Sequence, residues 1–365
     1  MSTVKANTFQ DATGGSNAVF SGVASPPNGM GFRNRIINGD MRIDQRNAGA
    51  SVGTGSGSTV YTVDRWQAQY EATNKFTVQQ STVAPAGFVN SLLVTSSSAY
   101  TPTSTQWFAV AQSIEGVNIA DLGWGSAGAQ SITVSFWVRS SLTGTFGGSV
   151  TNASWGRSYP FSYTISAANT WEQKTVTIAG DTTGTWNTNT STGLTLRFSL
   201  GTGSSISNTA GSWYGSQVFA PTGATSVVGT NGATFYITGV QLEAGTVASP
   251  FERRDYGREL IMCQRYYELI DAFMGYSTSA GARVTSCIAF AVPKRTAPTL
   301  GLRGALTVTS YGIGTGTQSS ASVVNQGTSA IGSYMEFPNF SGLSNGVVYY
   351  NYIGNSNSIT LSAEL

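Results

Sequence analysis

Ser131-Ile132-Thr133-Val134-Ser135-Phe136-Trp137-Val138-Arg139 is the stretch whose reading decides the fold. Ile132, Val134, Phe136 and Val138 alternate with Thr133, Ser135, Trp137 and Arg139. A period of two places the apolar set on one buried face of a strand. The same alternation recurs in Lys174-Thr175-Val176-Thr177-Ile178, in Leu194-Thr195-Leu196-Arg197-Phe198-Ser199-Leu200 and in Thr234-Phe235-Tyr236-Ile237. Apolar runs at 60–63, 91–95 and 106–110 add further strands. Turns rich in Gly, Ser, Asn and Thr separate them, and no helical period intervenes. Residues 31–253 therefore read as an antiparallel sandwich.

The composition of the 365 residues narrows the chemistry. Only 10% are charged, against roughly 25% in ordinary soluble domains. Aromatics make up 11%, too many for a disordered chain. No apolar run approaches the roughly 18 residues of a membrane span, so no membrane insertion is expected. The chain has no His, which removes Ser-His-Asp and Cys-His catalysis and His-ligated metal. Two Cys, Cys263 and Cys287, are too few for a disulfide framework, and a reduced, buried pair is the default. A net charge of +2 gives no electrostatic case for nucleic acid. The first residues, Met1-Ser2-Thr3-Val4-Lys5-Ala6-Asn7, lack the apolar core of a secretion signal, so none is expected.

The eight Trp all lie between 66 and 213, which marks one aromatic-rich domain. Ahead of it, 1–30 reads as a polar arm whose few apolar residues (Val4, Phe9, Val19, Phe20, Val23) cannot build a core. Behind it, nine charged residues crowd into 252–271. Leu260, Ile261, Cys263, Tyr266, Tyr267 and Ile270 recur there at helical spacing, which predicts one amphipathic helix near 255–270 linking two domains, with 254–272 as the linking segment. Strand patterns resume over 273–365, a smaller C-terminal β-sandwich domain. Only Arg283, Lys294, Arg295, Arg303, Glu336 and Glu364 carry charge there. Strands so poor in charge are better explained if several chains cover one another.

The catalytic candidates are thin. Asp40, Asp44, Asp64, Glu71, Glu115, Asp121, Glu172, Asp181 and Glu243 fall into no acid–base motif, so no catalytic residue is assigned and no enzyme is expected. Gly53-Thr54-Gly55-Ser56-Gly57-Ser58 lacks the Lys-Ser/Thr and the helix of a phosphate loop. Arg33, Arg35, Arg42, Arg46 and Arg65 are interleaved with Asp40, Asp44 and Asp64, a pattern of salt bridges. Asp64-Arg65-Trp66 reads as an Arg–carboxylate and Trp corner. Of Trp66, Trp107, Trp137 and Trp171, beside strands, at least two should be core. Trp155, Tyr159, Trp186, Trp213 and Tyr214 lie in Ser-, Asn-, Thr- and Gly-rich loops. Their rings could stack on the apolar face of a pyranose while amides take its hydroxyls. Packing of these loops on one another or on a neighbouring subunit is the other reading.

Several stretches resemble bacteriophage tail-fibre and appendage proteins. Asn34-Arg35-Ile36-Ile37-Asn38-Gly39-Asp40-Met41, Tyr61-Thr62-Val63-Asp64-Arg65-Trp66 and Val134–Arg139 are similar to their opening strands. The stretch from Gly239-Val240-Gln241-Leu242-Glu243 through Pro250-Phe251-Glu252-Arg253-Arg254 to Cys263-Gln264-Arg265-Tyr266-Tyr267 is similar to their closing strand and helix. Lys5–Ala12 resembles their virion-proximal ends, and Val292-Pro293-Lys294-Arg295 with Ala363-Glu364-Leu365 their C-terminal domain.

The resemblance implies a virion tail component made in the host cytoplasm, a homotrimer that meets other tail proteins through its arm, at Val4, Phe9, Val19 and Phe20. Arg253, Arg254, Arg258, Glu259 and Arg265 would orient the domain junction and assembly. The implied function is non-catalytic adhesion to a host-surface polysaccharide, with Trp155, Tyr159, Trp186, Trp213 and Tyr214 as candidate contacts. A purely structural virion part (head fibre, baseplate or neck spacer) and a capsule-degrading enzyme are the alternatives. Asn38-Gly39-Asp40 and Val240–Glu243 also resemble carbohydrate-binding jelly rolls, which often hold a structural Ca²⁺. The corresponding places here carry Arg42 and Thr238-Gly239, so no metal and no other cofactor is expected.

Overall fold

The alternation at 131–139 becomes the strand Ile132–Ser140, next to one edge of a six-stranded antiparallel sheet. The computed structural model describes residues 33–55, 57–278, 282–351 and 358–365. The expected attachment residues Val4, Phe9, Val19 and Phe20 lie outside them. The first sheet runs in the order Val52–Gly53, Phe76–Ser81, Ser91–Ser96, Thr234–Ala244, Ile132–Ser140, Glu172–Ile178. The second runs Thr59–Tyr61, Gln67–Tyr70, Trp107–Glu115, Thr192–Thr202, Gly144–Thr151, Ser158–Ile165. Neighbours in space come from distant parts of the chain, as when Thr234–Ala244 inserts between Ser91–Ser96 and Ile132–Ser140. The fold is a jelly roll.

Its core is the sum of the alternating positions. Ile132, Val134, Phe136 and Val138 face Phe108, Val110, Leu194, Leu196, Phe198 and Leu200 across the two sheets, all sealed from water. Trp66 is fully buried and donates its indole N–H to the Asn38 carbonyl at 3.1 Å. Trp107, Trp137 and Trp171 are half-buried, so one of the four strand tryptophans is core instead of two or more. The register explains it for Trp137, which alternates outward between Phe136 and Val138.

The helix α1 spans Tyr256–Gln264, and the Asp255 side chain caps it by accepting from the Arg258 N–H at 2.9 Å. The expected helix over 255–270 is therefore too long. Tyr267–Ile270 instead pairs as a strand with Ile359–Ser362. Aromatic and β-branched side chains fit a half-buried strand, and here a partner strand was ready. Within α1, Glu259 and Cys263 are buried while Ile261 faces solvent, so its inward face is not the apolar stripe that spacing suggested.

Beyond the helix, a three-stranded sheet (Tyr267–Ile270, Ile359–Ser362, Thr299–Leu302) packs on an eight-stranded one. Val284, Val308, Met335, Phe337 and Tyr349 meet Ile359 and Leu361 between them, a second and smaller β-sandwich core. Residues 34–365 nonetheless form one compact unit. The 364–365 segment is clasped by the jelly roll: Glu364 accepts from Arg46 (2.8 Å) and Arg65, and the Leu365 carbonyl accepts from Tyr61 Oη (2.8 Å) and Gln67 Nε2 (3.0 Å). Arg65 thus pairs with Glu364, not with its neighbour Asp64. Cys263 is buried but Cys287 is exposed, and both are free thiols, so the two do not form the expected buried pair.

Candidate functional site

The outward face of the second sheet is set by the same alternation that builds the core. With Leu194, Leu196, Phe198 and Leu200 turned inward, Thr195, Arg197 and Ser199 point the other way. Ala109, Ala111, Ser149 and Thr151 lie beside them on paired strands. These side chains are small, which leaves room above the sheet for long ones.

Two groups of rings flank this sheet. The first is Trp107, Trp155 and Phe219, packed edge-on with centroids 4.9–5.8 Å apart. Trp155 sits in the 152–157 loop joining Gly144–Thr151 to Ser158–Ile165. Asn152 organises that loop: its carbonyl accepts from the Trp155 N–H (3.2 Å), its Oδ1 accepts from the Arg157 N–H (3.1 Å) and its Nδ2 donates to the Thr185 carbonyl (3.0 Å). The loop forces Trp155 to a φ of +59°, a left-handed conformation unfavourable for a bulky side chain. Its ring is 38% exposed, the one large aromatic of the described jelly roll open to this degree.

The second group is Trp124, Trp186 and Trp213, with centroids 4.6–5.6 Å apart, joined by Tyr159 at 5.2 Å from Trp213. All three indole donors are used inside the chain. Trp124 donates to the Gln130 carbonyl (2.7 Å), Trp186 to Asp181 (3.2 Å) and Trp213 to the Ala179 carbonyl (2.8 Å). Arg157 closes the group with a bidentate pair to Asp181 at 2.7 and 2.6 Å. Burial raises the Asp181 carboxyl, but the Arg157 bonds outweigh it and hold it below the usual range.

The five ring candidates therefore separate. Trp155 is exposed as expected. Tyr159 and Trp186 are only 7% and 8% exposed, so the expectation of open rings fails for both: they are buried against other indoles. Trp213 is half-buried among them. Tyr214 is half-buried too, bridging by its backbone to Ser158 and donating its hydroxyl to the Thr209 carbonyl (3.0 Å). Sequence reasoning missed Trp107, Phe219 and Arg197. The signal for Arg197 was present, since a cation at an outward position of an apolar strand has few places to go.

Arg197 is the main charge of this face. It is 2% exposed, with its guanidinium carbon 4.6 Å from the Phe219 centroid and 5.8 Å from that of Trp155. Its Nε donates to Gln69 Oε1 (2.8 Å) and its Nη1 to Thr151 Oγ1 (2.6 Å), both neutral acceptors. Burial alone pushes its pKa down to about 9.

Four of the five junction charges, Arg253, Arg254, Glu259 and Arg265, make side-chain contacts within the chain. Arg253 donates to the Gly87 carbonyl at 2.6 Å and lies over Phe88. Arg254 pairs with Glu259 at 3.4 Å and donates to the Ile36 carbonyl at 3.1 Å. Arg265 grips Glu115 with two bonds of 2.8 and 2.9 Å. Arg258 supplies the N–H that Asp255 caps. At the places a Ca²⁺ would need, Arg42 pairs with Asp40 at 2.5 Å and Thr238 donates to the Asn90 carbonyl at 2.7 Å. A guanidinium already neutralises the carboxylate, so these residues do not suit a cation.

No family model matches the chain, and no curated protein is similar to it. Solved structures share parts of the fold at low identity. The enzymatically active domain of bacteriophage CBA120 tailspike protein 4 is 12% identical over 58% of this chain, with a TM-score of 0.31; the match spans 21% of that protein's length. A xylan-binding family 22 module from Paenibacillus barcinonensis is 12% identical over 55% of this chain and 99% of its own, with a TM-score of 0.26. A family 11 carbohydrate-binding module from Clostridium thermocellum, solved with a β-1,3-1,4-mixed-linked tetrasaccharide, is 12% identical over 55% of this chain and 96% of its own, with a TM-score of 0.27. Likeness of this depth assigns no ligand.

Proposed function

We propose that this chain is a non-catalytic adhesion component of a bacteriophage tail fibre or tail appendage, and that it holds a host-surface glycan at Trp155. The observation that carries the reading is the ring itself. Trp155 stays open to water while its backbone is held in a left-handed conformation that costs free energy, and such strain marks binding sites more often than plain surface. An indole so placed can lie against the apolar face of a sugar ring. The resemblance of 34–41, 61–66 and 239–267 to tail-fibre sequences supports the virion part of the reading. The non-catalytic part is supported by Glu115 and Asp181, whose ion pairs with Arg265 and Arg157 hold their carboxyls below the usual range.

A homotrimer belongs to the same proposal. Met274, Tyr276, Tyr334 and Val348 are exposed on one face of the eight-stranded sheet, an apolar stripe that neighbouring copies would cover. Three weak contacts on one particle then act together. Light scattering of the purified chain should give three times 38.2 kDa; a monomer would remove this part. For the glycan, labelled protein is applied to an array of bacterial surface polysaccharides. Trp155→Ala should weaken binding about tenfold, the scale of one lost aromatic stack. No binding to any glycan or host cell would favour a structural virion part, and release of reducing ends would favour an enzyme.

A further inference from the structure

Three polar groups beside Trp155 have nothing to bond. The indole N–H of Trp107 and the hydroxyl of Ser149 are sealed from solvent without a hydrogen-bond partner. The Arg197 guanidinium uses Nε and Nη1 on neutral acceptors, and its Nη2 has no acceptor among the described residues. Nη2 is also not among the atoms closed off from solvent. These groups are neighbours: Ser149 is directly opposite Arg197 in the strand register, and Trp107 and the guanidinium pack against the same Phe219 ring.

The charge balance is more telling than the hydrogen bonds. Every other deeply buried Arg or Lys of the described chain has a carboxylate within 4 Å: Arg65 has Glu364, Arg254 has Glu259 and Lys294 has Glu268. Arg197 has none among the described residues, and both of its side-chain acceptors are neutral. A buried cation without a counter-ion is costly, and the faces of Phe219 and Trp155 offset only part of that cost. A free guanidinium edge with a second donor beside it is the arrangement that receives a paired-oxygen anion.

We propose that the glycan held at Trp155 is acidic, and that Arg197 receives its anionic group, a sugar carboxylate or a phosphate, through its unpaired Nη2. This rests on the glycan reading above and narrows it to a class of ligand. Neutral plant-type glucans and xylans fall outside that class.

The test uses the wild-type chain on the polysaccharide array, before and after chemical treatment of the glycans. Carbodiimide–borohydride reduction removes uronic carboxylates, and aqueous hydrofluoric acid removes phosphodiesters. The bound glycans should be acidic, and one of the two treatments should weaken binding by about tenfold or more, the scale of a lost charge-assisted hydrogen bond. Which treatment does so identifies the anion. Arg197→Gln should reproduce that loss on untreated glycan and be indifferent to the treatment. Arg197→Lys, which keeps the charge but not the fork, should recover part of it. Binding to neutral glycans, or binding that survives both treatments, overturns the acidic assignment and leaves Trp155 as a sugar contact. Absence of binding to any glycan overturns both. The wild-type arm decides even where Arg197→Gln fails to fold.

Discussion

At the scale of single residues, the groups that govern stability are the buried ionisable ones near 364. Arg65 is sealed from water, pairs with Glu364, donates from Nη2 to the Ser113 carbonyl at 2.6 Å and stacks on Tyr266 at 3.5 Å. Removing one partner of such a pair strands the other. Glu364→Gln should lower unfolding free energy by about 3 kcal/mol, read by urea titration; a loss no larger than that of an exposed surface pair would contradict the burial. Asp64 nearby behaves differently. It accepts from the Gln45 N–H at 3.0 Å and from the Gln45 side chain, yet burial pushes its carboxyl up to about 7. The unfolded carboxyl releases its proton near 3.8 while the folded one keeps it. Its contribution is therefore full at low pH, falls as pH rises between about 4 and 7, and is level above, a drop of roughly 4 kcal/mol. Asp64→Asn cannot titrate. The stability of the variant minus that of the wild type should rise across this window and then stay level. A difference that does not change with pH would show that Asp64 is already ionised in the folded chain.

At the scale of elements, the decisive piece is the 152–157 loop. Its conformation and its ring can be separated experimentally because only one of them concerns the backbone. Trp155→Gly and Trp155→Ala both delete the indole, but Gly relieves the left-handed φ and Ala does not. The Gly variant should be more stable than the Ala variant by about 1 kcal/mol, with equal loss of glycan binding. Equal stability would mean that residue 155 relaxes out of that conformation once the ring is gone. Much of this level was legible beforehand. Strict alternation at 131–139 and 194–200 carried both the strands and their buried faces, since a period of two has one physical reading. The exposed Trp155 was legible from its polar loop. The burial of Trp186 and Tyr159 was not, because indoles from separate loops meet there and extend the jelly-roll core at a place that no single loop shows. The far half of the expected helix failed for a related reason: Tyr267–Ile270 took strand form because Ile359–Ser362, about 90 residues away, offers it a ladder.

At the scale of the molecule, two hydrophobic cores are held as one unit by a small apolar cluster, Ile37 and Ile43 against Cys263, Tyr266 and Leu365, and by polar contacts that no sequence pattern announces. Arg265 reaches across to Glu115, Gln45 Nε2 donates to the Tyr267 carbonyl at 3.0 Å, Arg295 donates to the Thr190 carbonyl at 3.1 Å, and Arg46 and Arg65 converge on Glu364. The crowd of charge at 252–271 supplies Arg265 to these contacts, but its partner Glu115 lies 150 residues off in sequence and could not be paired in advance. Such contacts are directional and in part desolvated, so they add to the apolar cluster in coupling the two sandwiches. The coupling has a calorimetric consequence. The wild-type chain should unfold in a single endotherm covering both cores. The double variant Arg265→Ala, Glu364→Ala removes the bidentate grip and the shared acceptor while leaving the packing of each core untouched. It should show two endotherms, the smaller sandwich melting first because its core is smaller. A single endotherm that merely shifts to lower temperature would mean that the β-strand Tyr267–Ile270 and its neighbours, not the ion pairs, make the molecule one cooperative unit.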